Sequence, residues 1–506
     1  MVENRGHGNH SADLTTNPVE DDGIQRFPST ENADAFGNPN IGKVGSIALM
    51  INNVVGPGIV ALPRIFQQAG WLVPLTSLSF AFFASSFACT MTAESMQLAP
   101  GNHRFDNRME YCDIVSHYMG NKGIGSTQAW YYVSQFFYNS CLTCLNIGSI
   151  IVTAQTVDQV ILFLFGSTYA YEVYPNVGFL VERSASMHTL PFAHDAHGVV
   201  DPYVLTLGYL VSCITIMPLG FLTLEENIIF QLVSCTVFIG IMFLFLGLFT
   251  TTADPARLHA VGNNLGQSVG VSLFCYSYAI AIPSWVNEKR KDVGINSTIW
   301  LSAFPSTILK ILFGILGAMA FDHLSDNALQ TVVQHQTKGA WANTVRLADF
   351  MFSIFVIGFG VPLFHIFVRY NLMNGGLCSR RTAAFWGIIF PWLVSWMLYN
   401  GDLYQKFLNY SSLVFNALTC FLLPMSVFAV AIWSGAAWYP EQLMNLNSSA
   451  AESDVEGEEE ADDGLERVAM VRAVPAFLGH PLHFAIALLI VTTIVIIMSI
   501  SFQIYE

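Results

Sequence analysis

The sequence predicts an all-α membrane protein of eleven transmembrane helices, arranged as two inverted repeats of five helices and one extra helix. Three observations carry this prediction. Only 11% of the 506 residues are charged, against about a quarter in soluble domains. Apolar stretches of about 20 residues, the length that crosses a bilayer, recur along the chain. Two of these stretches are interrupted at matching places in the two halves of the chain, a pattern typical of inverted repeats.

Eleven apolar segments are predicted to be helices. Because each half then holds five, the second half is inverted relative to the first, and the eleventh helix lies outside the repeat. The third segment is too long for one straight span at about 1.5 Å per residue, so it is expected to tilt or to project from the bilayer. The segments lie near 43–67, 71–98, 128–164, 202–224, 226–252, 266–287, 295–320, 346–370, 382–400, 407–437 and 479–501.

Composition divides the chain into five regions. A polar, acidic tail at 1–40 is predicted to be disordered, and a second acidic run is predicted to form a loop at 438–478. The repeats occupy 41–252 and 266–437, and the eleventh helix with the C-terminus occupies 479–506. Lys and Arg residues concentrate in alternate connections, which favours a cytoplasmic N-terminus and a cytoplasmic acidic loop. The tail has no apolar signal-peptide core, and no basic patch indicates a nucleic acid partner.

The first interrupted helix breaks at Gly56, Pro57 and Gly58 and is predicted to restart near Ile59. Pro57 cannot donate a backbone hydrogen bond, and the glycines let a ligand approach the main chain. The restarted half-helix presents unpaired N–H groups and the positive end of its dipole, which favour a carboxylate. An ordinary proline kink is the alternative, but the matching break in the second half favours a binding site.

The second interrupted helix carries Tyr276, Ser277 and Tyr278 in its gap, before Pro283. Their hydroxyls, together with the carbonyls that the break frees, are predicted to face the ammonium group or the side chain of a substrate. The alternative is that the tyrosines pack inside the bundle with their hydroxyls bonded to neighbouring carbonyls.

A polar stripe follows one face of the third helix. Its members recur every three or four residues, and six polar groups cannot face lipid without a free-energy cost. The stripe is predicted to line either a water-filled path or a helix–helix contact, and Asn146 is the member assigned to substrate binding. The stripe consists of Gln135, Asn139, Thr143, Asn146, Ser149 and Thr153.

Ionisable residues inside predicted spans mark functional positions by default. Lys310 is the deepest, midway along the seventh helix, and His365, near the inner end of the eighth, is a candidate proton carrier. The alternative, held at least equal, is that His365 only forms a hydrogen bond with a neighbouring carbonyl. The sequence has no phosphate-binding loop, paired catalytic carboxylates or His/Cys metal spacing, so it predicts neither an enzyme nor a bound cofactor nor ATP-driven transport.

Several motifs resemble those of a known family, the amino acid/auxin permeases of the amino acid–polyamine–organocation superfamily. The resemblance covers about residues 41–437 and is closest to the neutral amino acid transporter branch. It implies a LeuT-like fold and cotransport of an amino acid with Na⁺ or H⁺. The motifs are the run from Asn52 to Pro63 with Ala69, Gly70 and Trp71 after it, Pro218 to Leu222, Ile282 and Pro283 with Glu288, and Val361 and Pro362 with Arg369.

The resemblance also implies positions for a coupling ion. Asn52, with Asn53 next to it, lies where sodium-coupled members carry an asparagine linked to the ion. Those members tend to place threonines before the Val–Pro pair of the eighth helix, whereas this chain has Gly-Phe-Gly at 358–360, and Ser353 is the nearest hydroxyl. Hard cations need several oxygen ligands. Asn52 and Ser353 are therefore expected as metal ligands only if the protein is sodium-coupled. Of the two coupling ions, H⁺ is favoured over Na⁺.

The sequence thus predicts a secondary active transporter that moves an amino acid by H⁺ or Na⁺ symport with alternating access. The expected membrane is the plasma membrane or a vacuolar or lysosomal membrane, and the expected partners are the amino acid and the lipid bilayer. An amino acid sensor that signals through cytoplasmic segments is the alternative. A channel fits two broken helices less well than alternating access does.

Overall fold

A computed structural model describes residues 36–55, 57–100, 102–121, 126–183, 191–192, 203–263, 265–324, 328, 331–332, 340–374, 376–399, 412–435 and 471–505. Most of the predicted acidic tail, most of the predicted acidic loop, and Gly56 in the first break lie outside these residues. The described chain forms a helical bundle with one small sheet.

The first half consists of apolar helices that lie close to the predicted positions. A 3-10 turn, Pro57–Ala61, joins α1 to α2, and the two helices meet at an angle of 45°. Thr223 and Glu226 form a reciprocal capping box at the start of α7, which satisfies N–H groups that a helix start leaves unpaired. The helices are α1 Lys43–Val55, α2 Leu62–Ala69, α3 Leu72–Leu98, α4 Tyr111–Asn121, α5 Thr127–Phe165, α6 Leu207–Ile216 and α7 Leu224–Thr252.

The second half also begins with an interrupted helix, formed by α8 and α9. Later helices contain wider π-helical turns, which are rare and occur mostly at irregular or functional places. These turns are Phe352–Ile357 between α11 and α12, Phe385–Ile389 between α13 and α14, and Ser412–Leu422 before α15. The helices are α8 Leu265–Phe274, α9 Ile282–Glu288, α10 Ile295–Ala320, α11 Ala340–Met351, α12 Gly360–Asn374, α13 Arg380–Ala384, α14 Phe390–Met397, α15 Leu423–Gly435 and α16 Pro481–Tyr505.

The described residues form eight helices that are long and apolar enough to cross a membrane, or nine if the bent pair α1–α2 is one span. Shorter helical segments occupy the two other predicted positions, at Leu207–Phe221 and across α13 and α14. The protein is therefore a helical membrane protein with at least eight apolar helices. The count of eleven spans and the five-plus-five repeat stay predictions.

The all-α prediction was wrong for the connection after α5. That connection contains an antiparallel sheet of β1 Ser167–Tyr174, β2 Gly178–Arg183 and β3 Tyr203–Thr206, with β1 in the middle. Burial alternates along β1 with the two-residue period of a strand. The strand is nevertheless too short to stand out as a long apolar run. The Thr206 side chain accepts a hydrogen bond from the Tyr209 N–H, so α6 begins at Leu207 rather than near 202. Helix α4 was not predicted either.

The bundle has two ends that α5 connects. At about 1.5 Å per residue, its 39 residues reach well beyond a hydrocarbon core of about 30 Å, as predicted for the third segment. The sheet marks one end, here the sheet end, and the loop that carries Arg108 marks the other, here the Arg108 end. Between them α10 packs against α1, α2, α3 and α7, and α5 packs against α4, α6 and α12.

Candidate functional site

The first break lies where the sequence placed it. Helix α1 ends at Val55, and the 3-10 turn begins at Pro57, which has no N–H to continue the helical ladder. Gly56 lies outside the described residues. Ile59 is buried at 1% exposure, so it belongs to the core rather than to an open surface.

The second break follows α8. The chain turns through Cys275–Tyr278, forms a short 3-10 helix at Ala279–Ala281, and continues as α9 with Pro283 in its first turn. Pro is well suited to that position because the first N–H groups of a helix have no intrahelical partner. Pro63 has the same place in the first turn of α2, so both restarted helices begin in the same way.

Gly58 brings the two breaks into contact. A Cβ atom at this position would lie 2.9 Å from the Cys275 Sγ and 2.9 Å from the Phe274 Cδ1. Real Cβ atoms do not approach other atoms so closely, so only glycine allows this approach between the turn after α1 and the end of α8. The turn after α1 and the end of α8 are therefore in contact, and their role as one binding site stays a prediction.

The gap residues of the second break are buried and hydrogen-bonded within the protein. The Tyr276 hydroxyl lies 2.7 Å from the Thr307 Oγ1, and the Tyr278 hydroxyl lies 2.9 Å from the Ser86 Oγ. The Ser277 hydroxyl donates to the Phe274 carbonyl at 2.7 Å. In this structure the two tyrosines pack inside the bundle with their hydroxyls on side-chain hydroxyls of α10 and α3, and the substrate-binding role of the three residues stays a prediction.

Lys310 links the two breaks. Its Nζ donates to the Val54 carbonyl at 2.7 Å and to the Cys275 carbonyl at 2.5 Å. It also lies 3.9 Å from the centre of the Tyr276 ring. The sequence identified Lys310 only as the deepest ionisable residue and did not predict its partners, because they are more than 30 residues away along the chain.

The members of the polar stripe of α5 differ in their hydrogen bonds, and Asn139 and Ser149 bond residues of α5 itself. Gln135 donates to the Asn371 carbonyl at 3.0 Å, and Thr153 donates to the Ser353 carbonyl at 3.3 Å, so these two members join helices. Asn146 differs, because it is fully buried and neither its Nδ2 nor its Oδ1 has a protein partner. A buried amide without partners costs about 1–3 kcal/mol, which a bound ligand can offset.

Asn52 and Asn53 contribute differently to the end of α1. The Asn52 Nδ2 donates to both the main-chain and the side-chain oxygen of Gln231, at 2.8 and 2.9 Å. The Gln231 Nε2 in turn donates to the Phe359 carbonyl at 3.0 Å. A neutral amide of α7 therefore bridges α1 and the loop before α12. Asn53 donates only to the Leu49 carbonyl of its own helix, at 2.9 Å.

Ser353 and His365 lie apart along the chain segment that includes α12. Ser353 is in the π-helical turn, and its carbonyl also accepts from the Gly358 N–H at 3.0 Å. His365 is fully buried beside Gly220 in the turn before α7, and neither ring nitrogen has a hydrogen-bond partner. Its neighbour Gly220 belongs to the turn before α7, whereas the described neighbours of Lys310 belong to the two breaks.

A charged cluster at the Arg108 end was not predicted from the sequence. Arg108 pairs with Glu110 and with Glu288, each at 3.1 Å, and its guanidinium lies 4.7 Å from the centre of the Tyr370 ring. The Gly37 N–H donates to Glu288 at 3.0 Å. These five residues, the Arg108 cluster, join the start of the described chain, the loop before α4, α9 and α12. Charged residues in that loop were a sequence signal, but Glu288, Tyr370 and Gly37 come from distant segments.

Neighbouring residues complete the hydrogen bonds of the cluster. The Glu225 N–H donates to Glu288 at 3.1 Å, and the Ser284 hydroxyl donates to Glu110 at 2.6 Å. Burial raises the pKa of the Glu110 carboxyl above its usual value, although the Arg108 charge acts in the opposite direction. Burial alone would lower the pKa of Arg108, but the charges of Glu110 and Glu288 outweigh it and raise that pKa. Arg108 therefore remains the fixed positive charge of the cluster.

Comparison with known families places the chain among transporters. A family model described as transmembrane amino acid transporter protein matches residues 40–433, well over half of the chain. The chain is 22% identical over 310 residues to a protein named Transmembrane protein 104 homolog from Caenorhabditis elegans, covering 58% of this chain and 61% of that protein. The homolog from Caenorhabditis briggsae is 22% identical over 292 residues, covering 55% and 57%. The match thus spans about three fifths of the length of these curated relatives.

Solved structures agree in fold. The chain resembles Mhp1, described as a nucleobase-cation-symport-1 family transporter, in a closed conformation with bromovinylhydantoin bound. The TM-score is 0.55 and the identity 11%, and 93% of this chain and 95% of that chain are covered. For the inward-facing conformation of Mhp1, the TM-score is 0.53 and the identity 10%, with 92% and 93% covered. At such identities the likeness concerns the fold alone.

Proposed function

The chain belongs to the transmembrane amino acid transporter protein family, and from this premise we propose that it is a secondary active transporter that moves an amino acid by symport with alternating access. The observation that carries the proposal is the contact between the two breaks, where Gly58 lies against Phe274 and Cys275. Broken helices that meet near the middle of a bundle supply backbone groups for a polar substrate. The name of Mhp1 describes a cation symporter family, which supports the choice of symport.

In this proposal the substrate carboxylate binds the N–H groups at Gly58 and Ile59, at the start of the restarted helix. Asn146 is the second contact, because its amide can both donate and accept and has no protein partner. Tyr276, Ser277 and Tyr278 border the substrate, and their present hydrogen bonds within the protein rearrange during the transport cycle.

We favour H⁺ over Na⁺ as the coupling ion. The Phe359 carbonyl, a possible oxygen ligand beside the Gly-Phe-Gly stretch, already accepts a hydrogen bond from Gln231. The Asn52 Nδ2 is held by Gln231 as well, although the Asn52 Oδ1 has no partner. A sodium site there would have to be built from Asn52, Ser353 and main-chain carbonyls, and hard cations require several oxygens to replace their hydration shell.

The proposed orientation places the N-terminus, and with it the Arg108 end, in the cytoplasm of a plasma, vacuolar or lysosomal membrane. The concentration of Lys and Arg in alternate connections supports it. A tag at residue 455 should then be labelled only after permeabilisation, and a tag after residue 506 should be labelled from the outer or lumenal side. The reverse labelling pattern would contradict the proposed orientation.

The decisive experiment is uptake of a panel of labelled amino acids into proteoliposomes that contain the purified chain. An inward pH gradient and an inward Na⁺ gradient are imposed separately. We expect at least one amino acid to accumulate above its gradient-free level when the pH gradient is present. Accumulation that requires Na⁺ at every pH would overturn proton coupling, and a complete lack of uptake by monodisperse protein would overturn transport.

A sensor is the second candidate, and one observation favours it. Segment 36–41 is tied to the end of α9 by the bond from Gly37 to Glu288 and by an exchange of main-chain bonds between Ile41 and residues 288–290. Because α9 continues directly from the second break, movement there would be passed to the N-terminal segment. Amino acid binding with no flux would identify this function.

A further inference from the structure

Lys310 occupies a position that a bound cation could otherwise fill. Val54 lies in the last turn of α1, and Cys275 directly follows α8, so Nζ donates to the carbonyl ends of both half-helices. The C-terminal end of a helix carries partial negative charge and attracts cations. In transporters with broken helices, such ends and unwound carbonyls coordinate the coupling ion.

The charge of Lys310 is not paired with an acidic side chain within the described residues. Its side chain is fully buried, and its contacts are two carbonyls and the face of the Tyr276 ring. Carbonyls and an aromatic face attract an ammonium group but do not neutralise it. The strength of these contacts depends on whether Nζ is protonated, because a neutral amine is attracted much less by the same carbonyls and ring.

We propose that Lys310 is the coupling residue: a tethered cation that, when protonated, ties the two breaks together and, when neutral, releases them. The step is a proton transfer from Nζ to water on the side to which the site opens, and Nζ takes up a proton from water on the other side in the next half-cycle. The inference rests on the proposed transport function and assigns the coupling proton to Lys310 instead of His365.

The titratable groups near Lys310 are few. Cys275 and Tyr276, which follow α8, are in direct contact with it. The elements packed against α10 carry further titratable groups: Lys43 on α1, Arg64 on α2, Cys89 and Glu94 on α3, Glu225, Glu226 and Cys235 on α7, and Arg257 in the turn Pro255–Arg257. The Lys310 Nζ itself contacts the Val54 and Cys275 carbonyls and the Tyr276 ring. Titration of Lys310 is therefore the change that directly alters the link between the breaks.

The first test compares Lys310→Met and Lys310→Arg with Lys291→Met, a control lysine that is exposed at the Arg108 end. Only monodisperse variants are reconstituted. Lys310→Met should lose accumulation driven by a pH gradient but keep exchange of substrate at equal pH, with a rate that no longer depends on pH. Lys310→Arg, which cannot release its proton, should lose both activities, and Lys291→Met should behave as wild type. Gradient-driven accumulation by Lys310→Met or Lys310→Arg would overturn the proposal.

The second test does not depend on transport. In a chain that keeps only Cys275 and Cys378, the thiol-labelling rate of Cys275 relative to Cys378 is measured against pH. We expect Cys275 to be protected at low pH and exposed at high pH with Lys310, and this pH dependence should be lost with Lys310→Met. A nearby ammonium charge by itself favours the thiolate, which would increase labelling, so it cannot mimic the protection. Identical labelling profiles in the two backgrounds would overturn the proposal.

Together the tests separate the two proposals. If no amino acid accumulates in wild type but Cys275 shows the Lys310-dependent protection, the transport proposal fails and the assignment of Lys310 as the link stands. If wild type accumulates substrate in a pH gradient and Lys310→Met does so equally, the assignment of Lys310 fails and transport stands.

Discussion

The two breaks and the Arg108 cluster lie at opposite ends of the short helix α9, and they hold their helices together in different ways. In the Arg108 cluster, one guanidinium pairs with two carboxylates that Ser284, Gly37 and Glu225 also bond. At the breaks, one ammonium meets two neutral carbonyls and the face of the Tyr276 ring. The cation of the cluster is thus neutralised by carboxylates, whereas within the described residues no acidic side chain pairs with the ammonium at the breaks.

The largest loss of stability is expected at the Arg108 cluster. Arg108→Met leaves Glu110 and Glu288 buried without their cation, and removing one partner of a buried ion pair costs about 3–5 kcal/mol. The free energy of unfolding in detergent should fall by about that amount. Lys291→Met removes an exposed pair with Asp106 and should change it by about 0–1 kcal/mol. Equal stability of the two variants would show that the cluster does not hold its end of the bundle.

The next effect is expected at the contact between the breaks. Gly58→Val places carbon atoms within 3 Å of Cys275 and Phe274, and such overpacking costs about 1–3 kcal/mol. Substrate uptake should be lost, and the milder Gly58→Ala should retain part of it. The control is Gly247→Val on α7, where a Cβ would meet no atom within 4 Å. Normal substrate affinity in Gly58→Val would remove Gly58 from the proposed site.

Substitutions at two members of the α5 stripe should have opposite effects on substrate affinity and on stability. Asn146→Leu removes an amide without protein partners, so stability should hold or rise while substrate affinity falls, with a loss of about 1–3 kcal/mol for the missing hydrogen bonds. Gln135→Leu removes the bond to the Asn371 carbonyl, so stability should fall while affinity holds. Binding and unfolding measured on both variants test this contrast, and a loss of stability in Asn146→Leu would indicate a structural role.

The smallest effect concerns pH. Because burial raises the pKa of Glu110 in the folded protein, the folded state binds this proton at a higher pH than the unfolded state does. Stability should therefore increase as pH falls from neutral towards the usual glutamate pKa, about 4.3, and level off below it. Glu110→Gln should reduce this slope. Burial also raises the pKa of Asp113, so part of the slope should remain. Equal slopes in wild type and Glu110→Gln would contradict the assignment.

The sequence predicted the features that depend on local chemistry. Long apolar runs gave the positions of the helices, and the Gly and Pro residues around 56–58 and at Pro283 gave the two breaks. It failed where the signal was short or the partner distant. The sheet after α5 was missed because its strands have 8, 6 and 4 residues, too few to register as an apolar span. The partners of Tyr276 and Tyr278 were distant in this sense, because their hydroxyls bond α10 and α3, and their role at the substrate stays a prediction.

By itself, therefore, the sequence determined the class of protein, the approximate helices and the places where two of them break, because hydrophobic length and backbone freedom are properties of neighbouring residues. Only the tertiary structure decided which polar atoms have partners. Asn146 and Gln135 look alike in the stripe, but Gln135 donates to a carbonyl of α12 whereas the Asn146 amide has no protein partner. Lys310 meets Val54 across 256 residues of chain, and no local pattern encodes a hydrogen bond between segments so far apart.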